Sequence, residues 1–416
     1  MPEAPPPVAG SRSRPPHARL HPISRRHLDA LTGELGILQH VQGSEADPVH
    51  GYCVDDVARA LEVDLLHARA IGWPAVAESA WRSVRFLEAA FDEATGRFGS
   101  VRAIDGSWSP DPASSDSFGR AMLGLGLAVA SAPEPAIVER ANALLDRALP
   151  KAARLTSPRA QASLILACAA APDPARTALM RRLATELHAR FVSYARPGWP
   201  WPEPVVNSEN ALLPRALIVA GGALGARTML GIGLQVLDWL IDTQTAPAGH
   251  LSPIGNGWWP FRGTRSQFDQ QPIEVSALLL ASEAALAATS LPRYADAMER
   301  AYAWFLGAND LRLQLADPAR GACCDGLTPT GVNTNEGAES TLTWLIAAEH
   351  IRFLRSADAL PEPPRAVHQP SRPLRRPGSH DARTLPATVS PTGLATSSST
   401  GPPTRVARHG RDGATG

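Results

Sequence analysis

The chain has 416 residues, 44% of them hydrophobic, and its 40 basic and 40 acidic residues leave no net charge. This length suffices for one large core or two modest domains. The balanced charge excludes a global field that would attract nucleic acid or an anionic membrane, so neither is expected as a partner. No stretch approaches the roughly 18 uninterrupted apolar residues that a membrane-spanning helix requires.

The two ends of the chain differ in composition from its middle. Residues 1–18 are rich in Pro and Arg, and residues 357–416 are rich in Pro, Ser, Thr, Arg and Gly. Such segments bury too little apolar surface to offset the entropy lost on ordering, so both are predicted to be disordered. The remaining residues, 19–356, show no break in pattern and are predicted to form one domain.

A polar turn that opens directly into an Ala- and Leu-rich helix recurs six times along the chain. The six openings occupy residues 54–59, 115–120, 157–159, 207–210, 269–274 and 335–340. The helices that they start are apolar nearly all round, as at residues 121–130, which predicts burial on every side.

More amphipathic helices alternate with these buried ones. They are predicted at residues 23–41, 75–91, 134–149, 174–194, 227–245 and 293–309. Six inner and six outer helices in alternation predict an all-α fold, a closed (α/α)6 toroid. No convincing strand is visible, and therefore no phosphate-binding loop of the kind that follows a strand.

The connections between the predicted helices are unequal in length. Inner-to-outer links are short, whereas most outer-to-inner links are long, at residues 42–54, 92–114, 196–206, 246–268 and 310–334. Because the inner helices of a toroid run parallel, the long loops and the inner N-termini are expected at one end, here called the mouth. Long loops are often functional, and these contain Trp108, Trp199, Trp201, Trp258 and Trp259.

The polar residues of the openings have two interpretations. The first is helix capping, since the following stand where a cap is wanted: Asp55, Ser115 or Asp116, Ser157, Asn207, Asp269 and Asn335. The second is ligand binding, because capping accounts for one residue per helix and the openings contain more. Arg59, Arg120 and Arg215 could neutralise the buried carboxylates in a structural ion-pair network.

Several carboxylates, amides and Trp rings at one concave mouth are what a sugar site needs. Glycoside hydrolysis generally uses two carboxyl groups, one protonated and one ionised. We predict Glu203 as the acid, because its stiff loop could hold the carboxyl beside Trp surface and raise its pKa; an exposed loop Glu is the alternative. Asp56 and Asp269 are the candidates for its partner.

The other polar and aromatic residues of the mouth are predicted to bind substrate. They are Asp55, Asp116, Arg120, Trp199, Trp201, Asn207, His250, Trp258, Trp259, Gln271, Glu274, Asn335, Glu336 and Glu339. No metal or other cofactor is expected, because His50, His250 and Cys324 are far apart in sequence without ligand spacing. The four cysteines form no CxxC motif and no secretory signal is visible, so we expect a cytoplasmic protein with reduced thiols.

Three stretches carry a resemblance to a known family. Residues 51–61, 268–274 and 324–341 resemble a bacterial family of (α/α)6 toroids of the six-hairpin glycosidase type, and the resemblance covers roughly residues 20–355. The chain departs from the family pattern at Val57 and Glu336, where the family more often has amides. The resemblance implies a carbohydrate-linked role, and its members are often fused to or encoded beside glycosyltransferases.

Three functions are therefore open at the level of sequence. The first is a glycoside hydrolase that acts on a saccharide or sugar conjugate. The second is a non-catalytic glycan-binding or scaffolding partner of a separately encoded glycosyltransferase. The third is a sugar epimerase, for which His50 and His250 could act as acid and base.

Overall fold

A computed structural model describes residues 23–358, so nearly all of the two terminal segments predicted to be disordered lies outside the described residues. The described part is mostly helical. Its helices are α1 (Arg26–Leu31), α2 (Val54–Ile71), α3 (Ala77–Ala90), α4 (Ser115–Ser131), α5 (Pro135–Ala152), α6 (Pro158–Ala170), α7 (Pro174–Tyr194), α8 (Leu212–Leu224), α9 (Arg227–Thr243), α10 (Pro272–Thr289), α11 (Pro292–Phe305) and α12 (Ala338–Asp358).

The even-numbered helices form a closed inner ring. Each of α2, α4, α6, α8, α10 and α12 contacts the next, and α12 contacts α2 to complete the circle. Helices α3, α5, α7, α9 and α11 each pack against the inner helix that precedes them. The predicted (α/α)6 toroid is therefore confirmed, and the long loops that precede the inner helices meet at the mouth.

The seam between α4 and α6 is unusually tight because small residues face each other. A methyl group added at Gly126 would lie 2.8 Å from the backbone oxygen of Ala167, and one at Gly119 would lie 2.9 Å from the Cα atom of Ala160. Real Cβ atoms do not approach that closely, so only glycine permits this spacing of the two helix backbones.

The predicted outer helix at residues 23–41 is wrong. Helix α1 stops at Leu31, and the chain then turns through Gly33 and Gly36 into a strand. Glycine disfavours helix by roughly 1 kcal/mol relative to alanine, and the N–H of Gly33 donates to the carbonyl of Gly36 at 2.8 Å. A Cβ atom at Gly33 would lie 2.4 Å from the Tyr52 hydroxyl, so close packing also requires glycine there.

The prediction that the chain has no strands is also wrong. The strands are β1 (Leu38–Gln42), β2 (Glu45–Cys53), β3 (Phe91–Asp92), β4 (Arg97–Phe98), β5 (Val101–Arg102), β6 (Val205–Val206), β7 (Trp259–Pro260), β8 (Ala316–Asp317), β9 (Ala322–Cys323), β10 (Gly326–Thr328) and β11 (Gly331–Asn333). They form one three-stranded antiparallel sheet, β1-β2-β5, and four two-stranded pairs, all within the mouth loops. Most are two or three residues long, too short to show the alternation by which a strand is recognised.

The capping interpretation of the openings is not supported. Helices α2, α6, α8 and α10 begin without a side-chain cap, and α4 is capped by Ser114, one residue before the predicted positions. The side chains predicted as caps are therefore available for other contacts at the mouth.

Helix α10 is the one helix in residues 23–358 that is long and apolar enough to cross a membrane. It contacts α8, α11 and α12 within the ring, and 67% of its apolar window is buried inside the protein. Its composition is that of a core helix.

Candidate active site

The first turns of α2 and α12 bring two carboxyl groups to one guanidinium. Arg59 donates to Asp56 at 3.0 Å and lies 3.1 Å from Glu339. Asp56 and Arg59 are buried, whereas the side chain of Glu339 is 46% exposed. Burial raises the pKa of Asp56 to about 7, helped by the charges of Glu339 and Asp55 and opposed by Arg59. The opening of α2 thus contains a carboxyl group that holds its proton near neutral pH.

Asp55 lies beside this pair with an unsatisfied oxygen. Its Oδ1 is buried and has no hydrogen-bond partner among the described residues. Buried polar atoms are normally hydrogen-bonded, so this oxygen is an acceptor that a bound hydroxyl could satisfy.

A second carboxylate reaches the axis from the turn before α8. Glu209 pairs with Arg120 of α4 and lines an axial cavity together with Arg59. Burial acts to raise the pKa of Glu209, but the charges of Arg120 and Arg59 outweigh it and lower the pKa below its ordinary value. The charge of Arg59 thus acts on both carboxyl groups, yet the pKa of Asp56 is raised and that of Glu209 is lowered.

The backbone of Glu209 is in the left-handed region, with φ of +45°. The Glu274 carboxylate holds it there, accepting hydrogen bonds from the N–H of Glu209, from the N–H of Asn210 at 3.3 Å and from the Asn210 amide at 2.9 Å. Burial raises the pKa of Glu274 to about 7. Strained non-glycine backbone concentrates at functional sites, and Glu274 positions this residue.

Glu203 has a different environment from the one predicted. Its carboxylate accepts hydrogen bonds from Arg159 of α6 at 3.0 and 3.3 Å, and the same guanidinium binds the Asn207 side chain and the Ser208 carbonyl. The indole N–H of Trp199 donates to the Glu203 carbonyl at 3.2 Å. These contacts fasten the loop to α6, so both Glu203 and Asn207 are engaged in protein contacts.

The predicted Trp residues divide into buried and exposed rings. Trp199 and Trp201 are buried and pack with Trp239 and Trp259, with a centroid distance of 4.9 Å between Trp199 and Trp259. Trp259 is partly buried, whereas Trp258 is 45% exposed. Of the four predicted to stack on sugar, Trp258 therefore presents the most accessible ring.

Several other predicted site residues hold loops together. Asp116 accepts a hydrogen bond from Ser157. The amide oxygen of Asn335 accepts from the N–H of Gly43 at 3.0 Å, and Glu336 pairs with Arg320. Asp116 thus links the starts of α4 and α6, while Asn335 and Glu336 fix the β1–β2 turn and the approach to α12.

The predicted site residues at the opening of α10 differ in exposure. Asp269 is exposed, with φ of +58°, and Gln271 is partly buried where α10 begins. Near them His250 Nε2 lies 2.8 Å from Asp310, and Asp310 also accepts from Ser252 at 2.7 Å and Gln270 at 2.6 Å. The result is a histidine oriented by a carboxylate.

Sequence reasoning missed Glu209 as a site residue. It belongs to the fourth opening, but α8 begins three residues later, so its position gave no helical register from which to infer that it faces the axis. In residues 23–358 no group of three or more His, Cys, Asp or Glu side chains is arranged to hold a metal ion.

No protein-family model matches the chain, and a search of curated proteins found no match. Solved structures do match its fold. Cellobiose 2-epimerase from Bacillus thermoamylovorans aligns with a TM-score of 0.62 and 11% identity over 80% of this chain and 96% of that one. Cellobiose 2-epimerase from Spirochaeta thermophila aligns at 0.57 and 14% identity, over 77% and 90% of the two chains.

An alpha-mannanase from Bacteroides thetaiotaomicron also aligns, with a TM-score of 0.52 and 10% identity over 74% of this chain and 88% of that one. At these identities the likeness establishes the fold alone. The chain is an (α/α)6 toroid of the kind found in these sugar-processing proteins, and the fold implied by the sequence resemblance is confirmed.

Proposed function

We propose that this chain is a glycoside hydrolase in which Asp56 is the general acid and Glu209 the ionised carboxylate. One observation carries the proposal: two carboxyl groups at the mouth, both influenced by Arg59, have pKa values shifted in opposite directions. Environments that separate two carboxyl pKa values in this way assign the acid and the base of a glycosidase.

The reaction follows from these protonation states. Asp56 donates its proton to the glycosidic oxygen as the bond to the anomeric carbon breaks. Glu209 either deprotonates an attacking water or attacks the anomeric carbon itself, and Arg59 and Arg120 hold it ionised until it does. The free oxygen of Asp55 accepts a hydrogen bond from a sugar hydroxyl, and Trp258 offers a ring face at the rim.

The saccharide substrate class rests on the same site. Carboxylates, amides and an exposed Trp are the groups that bind hydroxyls and the apolar face of a pyranose. Two structures that share the fold are a cellobiose 2-epimerase and an alpha-mannanase, which supports a saccharide as the substrate without specifying one.

The test is release of reducing sugar from a panel of disaccharides and oligosaccharides by the purified full chain. Asp56→Asn and Glu209→Gln should abolish release while leaving the circular dichroism spectrum unchanged. Glu203→Gln and Asp269→Asn, the other carboxylates predicted from sequence, serve as comparison variants. Wild-type release by both Asp56→Asn and Glu209→Gln would refute the assignment. Saccharide binding with no product from any substrate would instead favour a non-catalytic partner of a glycosyltransferase.

The pair of His250 and Asp310 favours a second candidate, sugar epimerisation. The Asp310 carboxylate on one imidazole nitrogen orients the ring, so the other nitrogen could remove a proton beside a carbonyl. An epimerase would incorporate deuterium from D2O at C2 of its sugar, which NMR detects. Incorporation that is lost in His250→Gln and retained in Glu209→Gln would replace hydrolysis with epimerisation.

A further inference from the structure

A small cavity lies on the toroid axis, lined by residues from five of the inner helices. Its volume of about 20 Å³ leaves room for one small group. Glu209 and Arg59 lie at its upper part, and Glu62, Leu280 and Ile346 form its lower part.

These three lower residues share one level of the ring. Each follows the first residue of its helix by eight positions, which places the level about 12 Å below the mouth. The cavity is therefore a narrow extension below the two carboxyl groups assigned to catalysis.

Two oppositely charged side chains that line this cavity, Glu62 and Arg215, attract each other without a direct hydrogen bond. Within residues 23–358, neither Glu62 nor Arg215 makes a hydrogen bond or a salt bridge, although Glu62 is only 8% exposed. Arg59 and Arg120, the other guanidiniums that line the cavity, are paired with carboxylates. Because both side chains line the cavity and neither makes a hydrogen bond, a polar group placed in the cavity could bond to both of them.

The rest of the lining restricts the chemistry of that group. Leu123, Ile273, Leu280 and Ile346 are apolar, while the Arg215 guanidinium donates hydrogen bonds and the carboxyl oxygens of Glu62 accept them. The fitting group is thus small and neutral, with an apolar flank and a tip that both donates and accepts. A hydroxymethyl group meets each of these requirements.

We propose that the axial cavity is a subsite for the hydroxymethyl group of a terminal hexose, held between Arg215 and Glu62. The inference rests on the proposed function insofar as the sugar enters at the mouth. It makes this pair the determinant of hexose over pentose. A uronate carboxylate placed there would be attracted by Arg215 and repelled by Glu62, so Glu62 lowers the affinity for uronic acids relative to a neutral residue at the same position.

Binding of monosaccharides tests the subsite independently of turnover. The probes are D-glucose and D-mannose, their hydroxymethyl-free counterparts D-xylose and D-lyxose, and D-glucuronate, each titrated into the full chain and followed by calorimetry. At least one hexose should bind at least about tenfold more tightly than its pentose, because the pentose leaves both charged groups unsatisfied.

Two variants and two controls complete the test. Arg215→Ala should remove the preference for hexose, and the nearly isosteric Glu62→Gln should raise the affinity for glucuronate relative to glucose. Arg182→Ala and Glu78→Gln make similar changes on exposed outer helices and should alter neither ratio. If Arg215→Ala does not fold, Glu62→Gln decides the matter alone.

The outcomes separate the two proposals. Equal binding of hexose and pentose, an unchanged ratio of glucuronate to glucose affinity in Glu62→Gln, or no binding of any probe would overturn the subsite. A hexose preference in a protein that cleaves no glycoside, with the ratio of glucuronate to glucose affinity raised in Glu62→Gln, would retain the subsite and remove the hydrolase. Cleavage of a glycoside without a hexose preference would retain the hydrolase and remove the subsite.

Discussion

Two buried ionisable clusters share helices α2 and α12, and they differ in access to solvent. The cluster at the mouth contains Asp56, Arg59 and Glu339, and Glu339 is half exposed. The other, here called the α1 cluster, contains Arg25, Asp64, His67 and Glu349; the side chain of Arg25 is 10% exposed and the other three are almost fully buried.

The α1 cluster has shifts as large as those at the mouth. Arg25 donates to Asp64 at 2.6 Å and to His67 at 2.8 Å. Burial raises the pKa of Asp64 to about 6, and burial together with the charge of Arg25 lowers that of His67 to about 3. A perturbed pKa therefore does not by itself mark an active site; the exposure of Glu339 is what distinguishes the cluster at the mouth.

The largest expected effect is a loss of activity on mutation of the cluster at the mouth but not of the α1 cluster. Asp56→Asn should lower turnover by about 100- to 10,000-fold, the usual contribution of a general acid, and should leave the melting temperature nearly unchanged. Asp64→Asn, the same change in the α1 cluster, should show the opposite pattern. Initial rates and thermal melts of both variants provide the measurement, and equal loss of activity in the two would remove the distinction.

The next effect is on stability. Arg25→Ala leaves Asp64 buried without its partner and should lower the free energy of unfolding by about 3–5 kcal/mol. Arg82→Ala, which breaks an exposed pair with Glu78, should cost about 1 kcal/mol or less. Urea unfolding at pH 8 measures both. A cost for Arg25→Ala no larger than that for Arg82→Ala would show that the α1 cluster does not depend on its ion pair.

The raised pKa of Asp56 predicts how the stability of the protein changes with pH. Its folded pKa of about 7 lies above the ordinary value of 3.8 for an aspartate, so the folded state binds more protons than the unfolded state between these values. This contribution to stability is complete below about pH 4 and is lost as the pH rises towards 7. Asp56→Asn should therefore reduce the loss of stability between pH 5 and pH 8, measured by urea unfolding. An unchanged difference would contradict the raised pKa.

The smallest effect is expected at the rim of the mouth. Trp258→Ala should weaken saccharide binding by about 1 kcal/mol, roughly fivefold in affinity, without changing stability. Trp201→Ala removes a fully buried ring and should lower the free energy of unfolding by about 3–5 kcal/mol. Calorimetric titration and denaturant unfolding distinguish the two; unaltered affinity in Trp258→Ala would exclude stacking at this ring.

The sequence predicted the toroid because the apolar periodicity of long helices is a local property. It predicted helix α7 with the observed bounds, residues 174–194. It failed at residues 23–41, where glycines and contacts with Tyr52 override the helical pattern. The strands in the loops were missed because they depend on pairing partners distant in sequence, such as β2 with β5.

The site was predicted in outline only. Asp56 was identified because it lies in the first turn of a helix that the sequence predicts, so its position on that helix could be inferred. Glu209 was not, since its position depends on a left-handed turn held by Glu274 from a helix 65 residues away in sequence. Which carboxylates are paired with arginine, as Glu203 is with Arg159, likewise depends on tertiary structure alone.

The glycine seam between α4 and α6 has a consequence for the width of the ring. A closed circle of six helices has a circumference equal to the sum of its spacings, so the contact of Gly126 with Ala167 shortens the whole perimeter. The bore that results admits only a small group at the level of Glu62. Alanine at Gly126 would lengthen the perimeter, and larger residues at such seams offer evolution a way to widen the bore without altering a single residue that lines it.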